Sequence, residues 1–259
     1  MACGRAGPAH AAVAGDVTSG GRLGERRRAE LVGSWHARYD VASMEKPGLV
    51  IFDCDGVLVD SELLNNQALS ELLAGHGLAL TPEEAVSHFK GLSNPDTVAK
   101  VRSGWGIVLP QDFISRLEAA EWAMMETGLQ PVPGALEAVA AVGRSGAALC
   151  VASSGTPDAI LQRLTITGLL PYFRGRLFSA QQVARGKPFP DLFLHVASEM
   201  GFAPEQCVVV EDSLPGVRAG IAAGMPVFAY AARGGAAELR TAGGFVFTDM
   251  AELPPLLGV

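Results

Sequence analysis

The densest chemistry in this sequence lies in one stretch, Asp53-Cys54-Asp55-Gly56-Val57-Leu58-Val59-Asp60-Ser61-Glu62. Asp53 and Asp55 directly follow the apolar run Leu49–Phe52, which reads as a buried strand. Two carboxylates at i and i+2 leave a strand tip in nearly the same direction, and Gly56 lets the backbone turn at once. In an open α/β sheet, ligands bind beyond the carboxyl ends of the strands, so this pair stands where a ligand would sit. Asp and Gly are also ordinary turn residues, and a plain polar turn is the simpler account. A calcium loop is not, because Gly56 falls at loop position 4 rather than 6, and Leu64 stands at position 12 where Glu is needed.

Three other strand-like runs end in reactive residues. Ala148–Ala152 leads into Ser153-Ser154-Gly155-Thr156, where hydroxyls and free backbone N–H groups meet a helix start and form a natural anion cradle. After the run Arg176–Phe178 comes Gly186-Lys187-Pro188-Phe189-Pro190-Asp191, and Cys207–Val210 ends in Glu211-Asp212-Ser213. Any one of these is weak evidence; four in order, each at the matching end of its strand, outweigh the polar-turn account. Other chemistries are excluded. Cysteine-phosphatase chemistry needs Arg six positions after Cys, and those positions hold Ala9, Asp60, Thr156 and Ser213. There is no G-x-x-x-x-G-K-[ST] loop, and the five histidines form no H-x-H or H-E-x-x-H set.

The elements that must position these residues alternate. A fifth run, Val227–Tyr230, completes the strands, and helix-length segments lie near 134–145, 156–167, 190–200 and 215–223. Continuous apolar strands alternating with helices predict an α/β fold, a Rossmann-like parallel sheet with helices on both faces. The first strand is the exception, being followed by almost a hundred residues of helical pattern: Glu62–Gly75, Thr81–Phe89, Asn94–Gly104 and Pro110–Thr127. Thr81-Pro82-Glu83-Glu84 is a good helix start. The expected division is therefore an N-terminal extension over 1–46, a sheet domain over 47–62 and 131–259, and an inserted all-helical domain over 63–130. Trp105, Trp122, Met124 and Met125 read as packing within that insertion, and His88 as an exposed helical histidine.

Composition bounds the partners. The chain of 259 residues is 49% hydrophobic and 18% charged, as in globular proteins, with a net charge of −7 that argues against nucleic acid and acidic membrane surfaces. No apolar run approaches a spanning length. The four cysteines are scattered without a C-x-x-C pair, which points to a reducing, cytoplasmic setting. Residues 1–43 hold only six Leu, Ile, Val and Phe, and Asp16, Glu25, Glu30 and Asp40 interrupt the basic cluster that a transit peptide would need. The expectation is a flexible extension, with Met44 opening the folded part. Nothing in the sequence fixes an oligomeric state.

The ordered set of D-x-D-G, Ser after the second strand, Lys before Pro, and Glu-Asp before Ser resembles the haloacid dehalogenase superfamily over residues 48–259. It is most similar to the branch of helical-cap sugar phosphatases and β-phosphoglucomutases. Phe52-Asp53-Cys54-Asp55-Gly56, Phe89-Lys90-Gly91-Leu92-Ser93 and Lys187-Pro188-Phe189-Pro190-Asp191 look especially like 6-phosphogluconate phosphatase-type members. The resemblance implies Asp53 as nucleophile and Asp55 as general acid and base. It also implies Mg²⁺ held by Asp53, the Asp55 carbonyl and Asp212 with help from Glu211, and Ser153 and Lys187 on the transferring oxygens. Ser154 and the insertion residues Lys90, Ser93 and Asn94 would touch substrate. In the mutase relatives an arginine and a histidine stand where this chain has Asn94 and Asn65. The activity implied is therefore hydrolysis of small phosphorylated metabolites, sugar or sugar-acid phosphates, rather than phosphoryl transfer within a bisphosphate. A non-catalytic regulator on the same fold would have lost one of these residues.

Overall fold

The computed structural model describes Met1 and residues 46–259, except Lys90, Gly91, Ser93 and Arg174. The expected extension lies almost wholly outside the described residues. Among them, six parallel strands form one sheet in the order β3-β2-β1-β4-β5-β6: β1 (Leu49–Phe52), β2 (Ala148–Ser153), β3 (Leu177–Ser179), β4 (Cys207–Glu211), β5 (Val227–Tyr230) and β6 (Phe245–Phe247). Leu49 of β1 is level with Ala148 on one side and Cys207 on the other, so the carboxyl ends of β1, β2 and β4 finish side by side.

Strand side chains alternate between two apolar cores. Val50, Phe52, Val151, Val208 and Val210 pack on one face, and Leu49, Ile51, Cys150, Cys207 and Val209 on the other, all at most 2% exposed. Burial on both faces explains why these strands show unbroken apolar runs instead of alternation. The first face is covered by α5 (Ala135–Arg144), α6 (Pro157–Ile166) and α7 (Leu170–Phe173), the second by α8 (Asp191–Met200) and α9 (Leu214–Ala222). Two short C-terminal helices follow, α10 (Ala236–Thr241) and α11 (Leu253–Leu256).

Between β1 and α5 the chain runs through α1 (Glu62–Ala74), α2 (Pro82–Phe89), α3 (Asn94–Trp105) and α4 (Phe113–Gly128), which share a separate core built on Leu73, Ala85, Val101, Phe113 and Leu117. The two connections to the sheet run together: Asp60 N–H donates to Gln130 O and Val132 N–H to Leu58 O, each at 2.9 Å. Arg233, after β5, pairs with Asp60 and Glu62 and ties this crossing to the sheet.

The observed strands depart from expectation in small ways. β3 is Leu177–Ser179 rather than Arg176–Phe178, and β6, α7, α10 and α11 lie outside the expected elements. Met125 does not pack within the helical insertion; it is 1% exposed and belongs to the sheet-side core with Val57 and Leu58. Because it lies near the end of α4, next to the return crossing, its side chain reaches the sheet. Trp105 packs within the insertion as expected, at its edge: it is 36% exposed, stacks edge-on against His88 and lies against the ring of buried Phe89 at 5.9 Å. No helix among the described residues is long and apolar enough to cross a membrane.

Candidate active site

The site is built where β1, β2 and β4 end. Asp53 N–H donates to Val210 O at 2.9 Å, which fixes the first loop to β4 just past its strand. The turn at Gly56 has φ +81°, and a Cβ there would lie 2.1 Å from Asp212 Oδ2. Glycine is thus required both by backbone conformation and by the close approach of Asp212. Ser213 caps α9 by accepting from Gly216 N–H at 3.1 Å, and this cap sets the loop that carries Asp212.

Lys187 is the centre of the arrangement. Its ammonium donates to Asp53 Oδ1 and Glu211 Oε1, each at 2.5 Å, and to Ala152 O at 3.1 Å, with a side chain only 5% exposed. All three donors of the ammonium are therefore assigned to named acceptors. Glu211, fully buried, spends its second oxygen on Asp212 N–H, Ser213 N–H and Ser213 Oγ, all at 2.9 Å. Burial lowers the Lys187 pKa, but Asp53 and Glu211 more than offset it and hold the ammonium charged. Burial pushes the Asp53 carboxyl up, Lys187 opposes this, and Glu211 adds to it. Asp212 is pushed up by burial and then by Glu211 and Asp53.

Asp53, Glu211 and Asp212 each bring a carboxylate oxygen within 4.8 Å of the others. Three acids against one lysine leave an excess of negative charge in a desolvated place. A hard divalent cation with oxygen ligands would balance it; Asp53 and Asp212 fit such an ion, while Glu211, expected to help hold it, has both oxygens already engaged and stands behind them. Cys54, between the two aspartates, is no rival nucleophile, since burial and both neighbouring carboxylates push its thiol up.

A cavity of about 360 Å³ opens on this cluster. The sheet side supplies Asp53, Asp55, Ser153, Ser154, Lys187 and Asp212, and the inserted helices supply Asn65, Asn66, Phe89, Asn94, Leu117 and Glu121. Ser153 is buried and accepts from Gly155 N–H at 3.0 Å, while Ser154 is exposed at the rim. Asn94 reaches the cavity from the start of α3; Lys90 and Ser93 lie outside the described residues. His88 is not among the lining residues. Asn65 lines the cavity with its Oδ1 buried and without a hydrogen-bond partner.

Sequence reasoning missed three residues here. Ser61 Oγ donates to Asp55 Oδ1 at 2.7 Å, and Arg163 Nη1 donates to Asp55 Oδ2 at 2.6 Å. The third is Glu121 on α4, whose carboxyl is pushed up to about 7 by burial, Arg163 opposing and Glu118 adding. Only the Ser61 contact is local enough to be read from spacing. A pKa raised by folding favours the protonated fold, so Glu121 leaves stability intact below its ordinary pKa near 4.5 and lowers it progressively up to pH 7. Glu121→Gln is therefore expected to melt about 2–4 °C above wild type at pH 8, a gap that closes toward pH 4.5. Melting curves across this range check it; a gap independent of pH would contradict it.

A family model described as haloacid dehalogenase-like hydrolase matches residues 47–224. Over 214 residues the chain is 32% identical to the 6-phosphogluconate phosphatase of Escherichia coli K12, covering 82% of this chain and 96% of that protein. It is 35% identical over 180 residues to hexitol phosphatase A of the same bacterium, covering 69% and 81%. A solved haloacid dehalogenase family hydrolase from Deinococcus radiodurans R1, with bound phosphate and sodium, matches with a TM-score of 0.73 at 33% identity, covering 82% of this chain and 98% of that one.

Proposed function

The chain belongs to the haloacid dehalogenase-like hydrolases, and from that premise we propose a magnesium-dependent phosphatase of small phosphorylated sugars that works through a phosphoaspartate on Asp53. The observation that carries this reading is Lys187 clamped between Asp53 and Glu211 beside Asp212, at the floor of the cavity.

Asp53, freed from Lys187 by the incoming phosphate, attacks phosphorus in line, and the bond from phosphorus to the sugar oxygen breaks. Asp55, which must take up a proton before this step, gives it to the departing alkoxide. Water then attacks the phosphoaspartate with Asp55 taking its proton, and phosphate leaves as the Asp53 carboxylate reforms. Lys187 and Ser153 supply fixed donors where charge spreads over the transferring oxygens. Glu211 acts through its neighbours: both its oxygens are engaged, and its work is to hold Lys187 and the Asp212 loop. Magnesium, held by Asp53, Asp212 and the Asp55 carbonyl, would supply the positive charge that lets an anionic nucleophile meet an anionic phosphate.

Residues 63–130 would act as a cap that selects the sugar, with Lys90, Ser93 and Asn94 touching it together with Asn65 and Asn66. Neutral amides suit hydroxyl groups, since each offers both a donor and an acceptor. A mutase would need a second cation to grip the other phosphate. Among the described lining residues the one cation is Lys187, already committed to the nucleophile, which favours hydrolysis. The buried thiols of Cys54, Cys150 and Cys207 suit a cytoplasmic enzyme.

The test is phosphate release from a panel of sugar, polyol and sugar-acid phosphates. At least one should be hydrolysed, with activity falling about 100-fold or more on chelation and returning with magnesium. Release from none, or turnover indifferent to chelation, would contradict the reading.

A further inference from the structure

Asp55 is held from both sides. Ser61 binds one carboxyl oxygen and Arg163 the other, at 2.7 and 2.6 Å, so the plane of the carboxyl is fixed. Ser61 lies six residues on in the same loop, whereas Arg163 comes from 108 residues away. It sits on α6, the helix that begins just after Ser153 and is capped by Thr156, whose side chain accepts from Ala159 N–H at 3.2 Å. Arg163 is seven residues past that cap, two helical turns, and so lies on the cap's own face beside the ends of β1 and β2.

Placing an arginine there is costly. Its side chain is 16% exposed and its Nε is buried without an acceptor. A desolvated guanidinium with an unused donor weakens the fold unless its partner compensates. Its Nη1 packs close to the loop after Ser153, where a Cβ on Gly155 would stand 3.4 Å from it and equally far from Ser153 Oγ. Arg163 does not line the cavity; its hydrogen bond to the site is to Asp55, and its charge is also felt by Glu121 on the facing wall.

We propose that Arg163 is a positioning residue that orients the Asp55 carboxyl toward the sugar leaving oxygen. The proposal rests on the phosphatase reading and adds a member to its machinery. Because α6 also starts at the Ser153 cradle, one rigid helix sets the phosphate donors and the proton donor in register.

The test exploits leaving groups. A sugar phosphate leaves as an alkoxide and needs a proton, whereas p-nitrophenyl phosphate leaves as a stable phenolate and does not. kcat/KM reports steps through departure of that group, so comparing the two substrates isolates Asp55 from the later water attack. Arg163→Gln should lower kcat/KM for the sugar phosphate about 10–100-fold and for p-nitrophenyl phosphate less than about 3-fold. Arg163→Lys should recover part of the loss, since a single Nη1 contact is all that must be replaced. In Asp55→Asn, adding Arg163→Gln should cost nothing further on the sugar phosphate, because a residue acting through another is not additive with it. The ratio of the two substrates is measured on one sample, so partial unfolding of a variant cancels. Equal losses on both substrates, no loss on either, or additivity with Asp55→Asn would overturn the proposal. Wild type hydrolysing neither substrate would instead overturn the phosphatase reading.

Discussion

Gly216→Ala is expected to lower the melting temperature by about 10 °C and to cut turnover on the order of 100-fold. The direction opposes the usual rule, by which alanine in a helix gains about 0.5–1 kcal/mol over glycine. Gly216 is the third residue of α9, and a Cβ there would fall 1.7 Å from Glu211 Oε1 and 2.4 Å from Oε2. Glu211 has nowhere to go, since it is fully buried and holds Lys187, Asp212 N–H and both donors of Ser213. Moving it breaks a buried ion pair, which costs about 3–5 kcal/mol, and releases Lys187 from its place beside Asp53. Gly104→Ala, in α3, is the control: nothing lies within 4 Å of its Cβ, so it should leave stability unchanged or slightly raised. Thermal melts of both variants, with phosphate release, give the comparison. A Gly216→Ala protein as stable as wild type would show that the crowding is not what fixes Glu211.

This dependence of chemistry on one missing methyl group shows what a sequence can and cannot reveal. β1 and β4 were legible because burial on both faces leaves runs such as Leu49-Val50-Ile51-Phe52 with no polar residue to blur them. β6, Phe245-Val246-Phe247, was not, because three residues at the sheet edge between Gly244 and a turn carry too little pattern. α7 and α10, four and six residues long, fail for the same reason. The shift of β3 by one residue matters more, since it brings Ser179 onto the strand, where its hydroxyl donates to Gly155 O at 2.6 Å and steadies the loop after Ser153.

The candidate site divides in the same way. Asp53, Asp55 and Asp212 announce themselves because they follow strands directly, and Lys187 because it takes its place in that order in the loop after β3. Arg163 does not: within α6 it looks like a solvated cation, and only the packing of that helix brings it to Asp55. Glu121 on α4 resembles any exposed acid until the insertion folds back over the sheet and buries it. Glu211 was legible as an acid beside Asp212, yet its use as the clamp on Lys187 appears only with the distances. The place of Met125 is not legible in the sequence, because the helical pattern of α4 does not say which core its last turns reach.

The central claim is that Asp53 becomes phosphorylated during turnover. Asp53→Asn keeps the size and shape of the side chain and removes the nucleophile, so it should lose about 1,000-fold or more in kcat with the fold intact. The most direct measurement is turnover of an accepted sugar phosphate in the presence of hydroxylamine. Hydroxylamine attacks the acyl carbon of a phosphoaspartate, releases phosphate and leaves a hydroxamate on the same carboxyl, which mass spectrometry of the peptide around residue 53 detects. Progressive inactivation that requires substrate is expected, with the hydroxamate on Asp53 and none on Asp55 or Asp212. Sustained phosphate release over many turnovers with Asp53 unmodified, or with the hydroxamate on another acid, would contradict it.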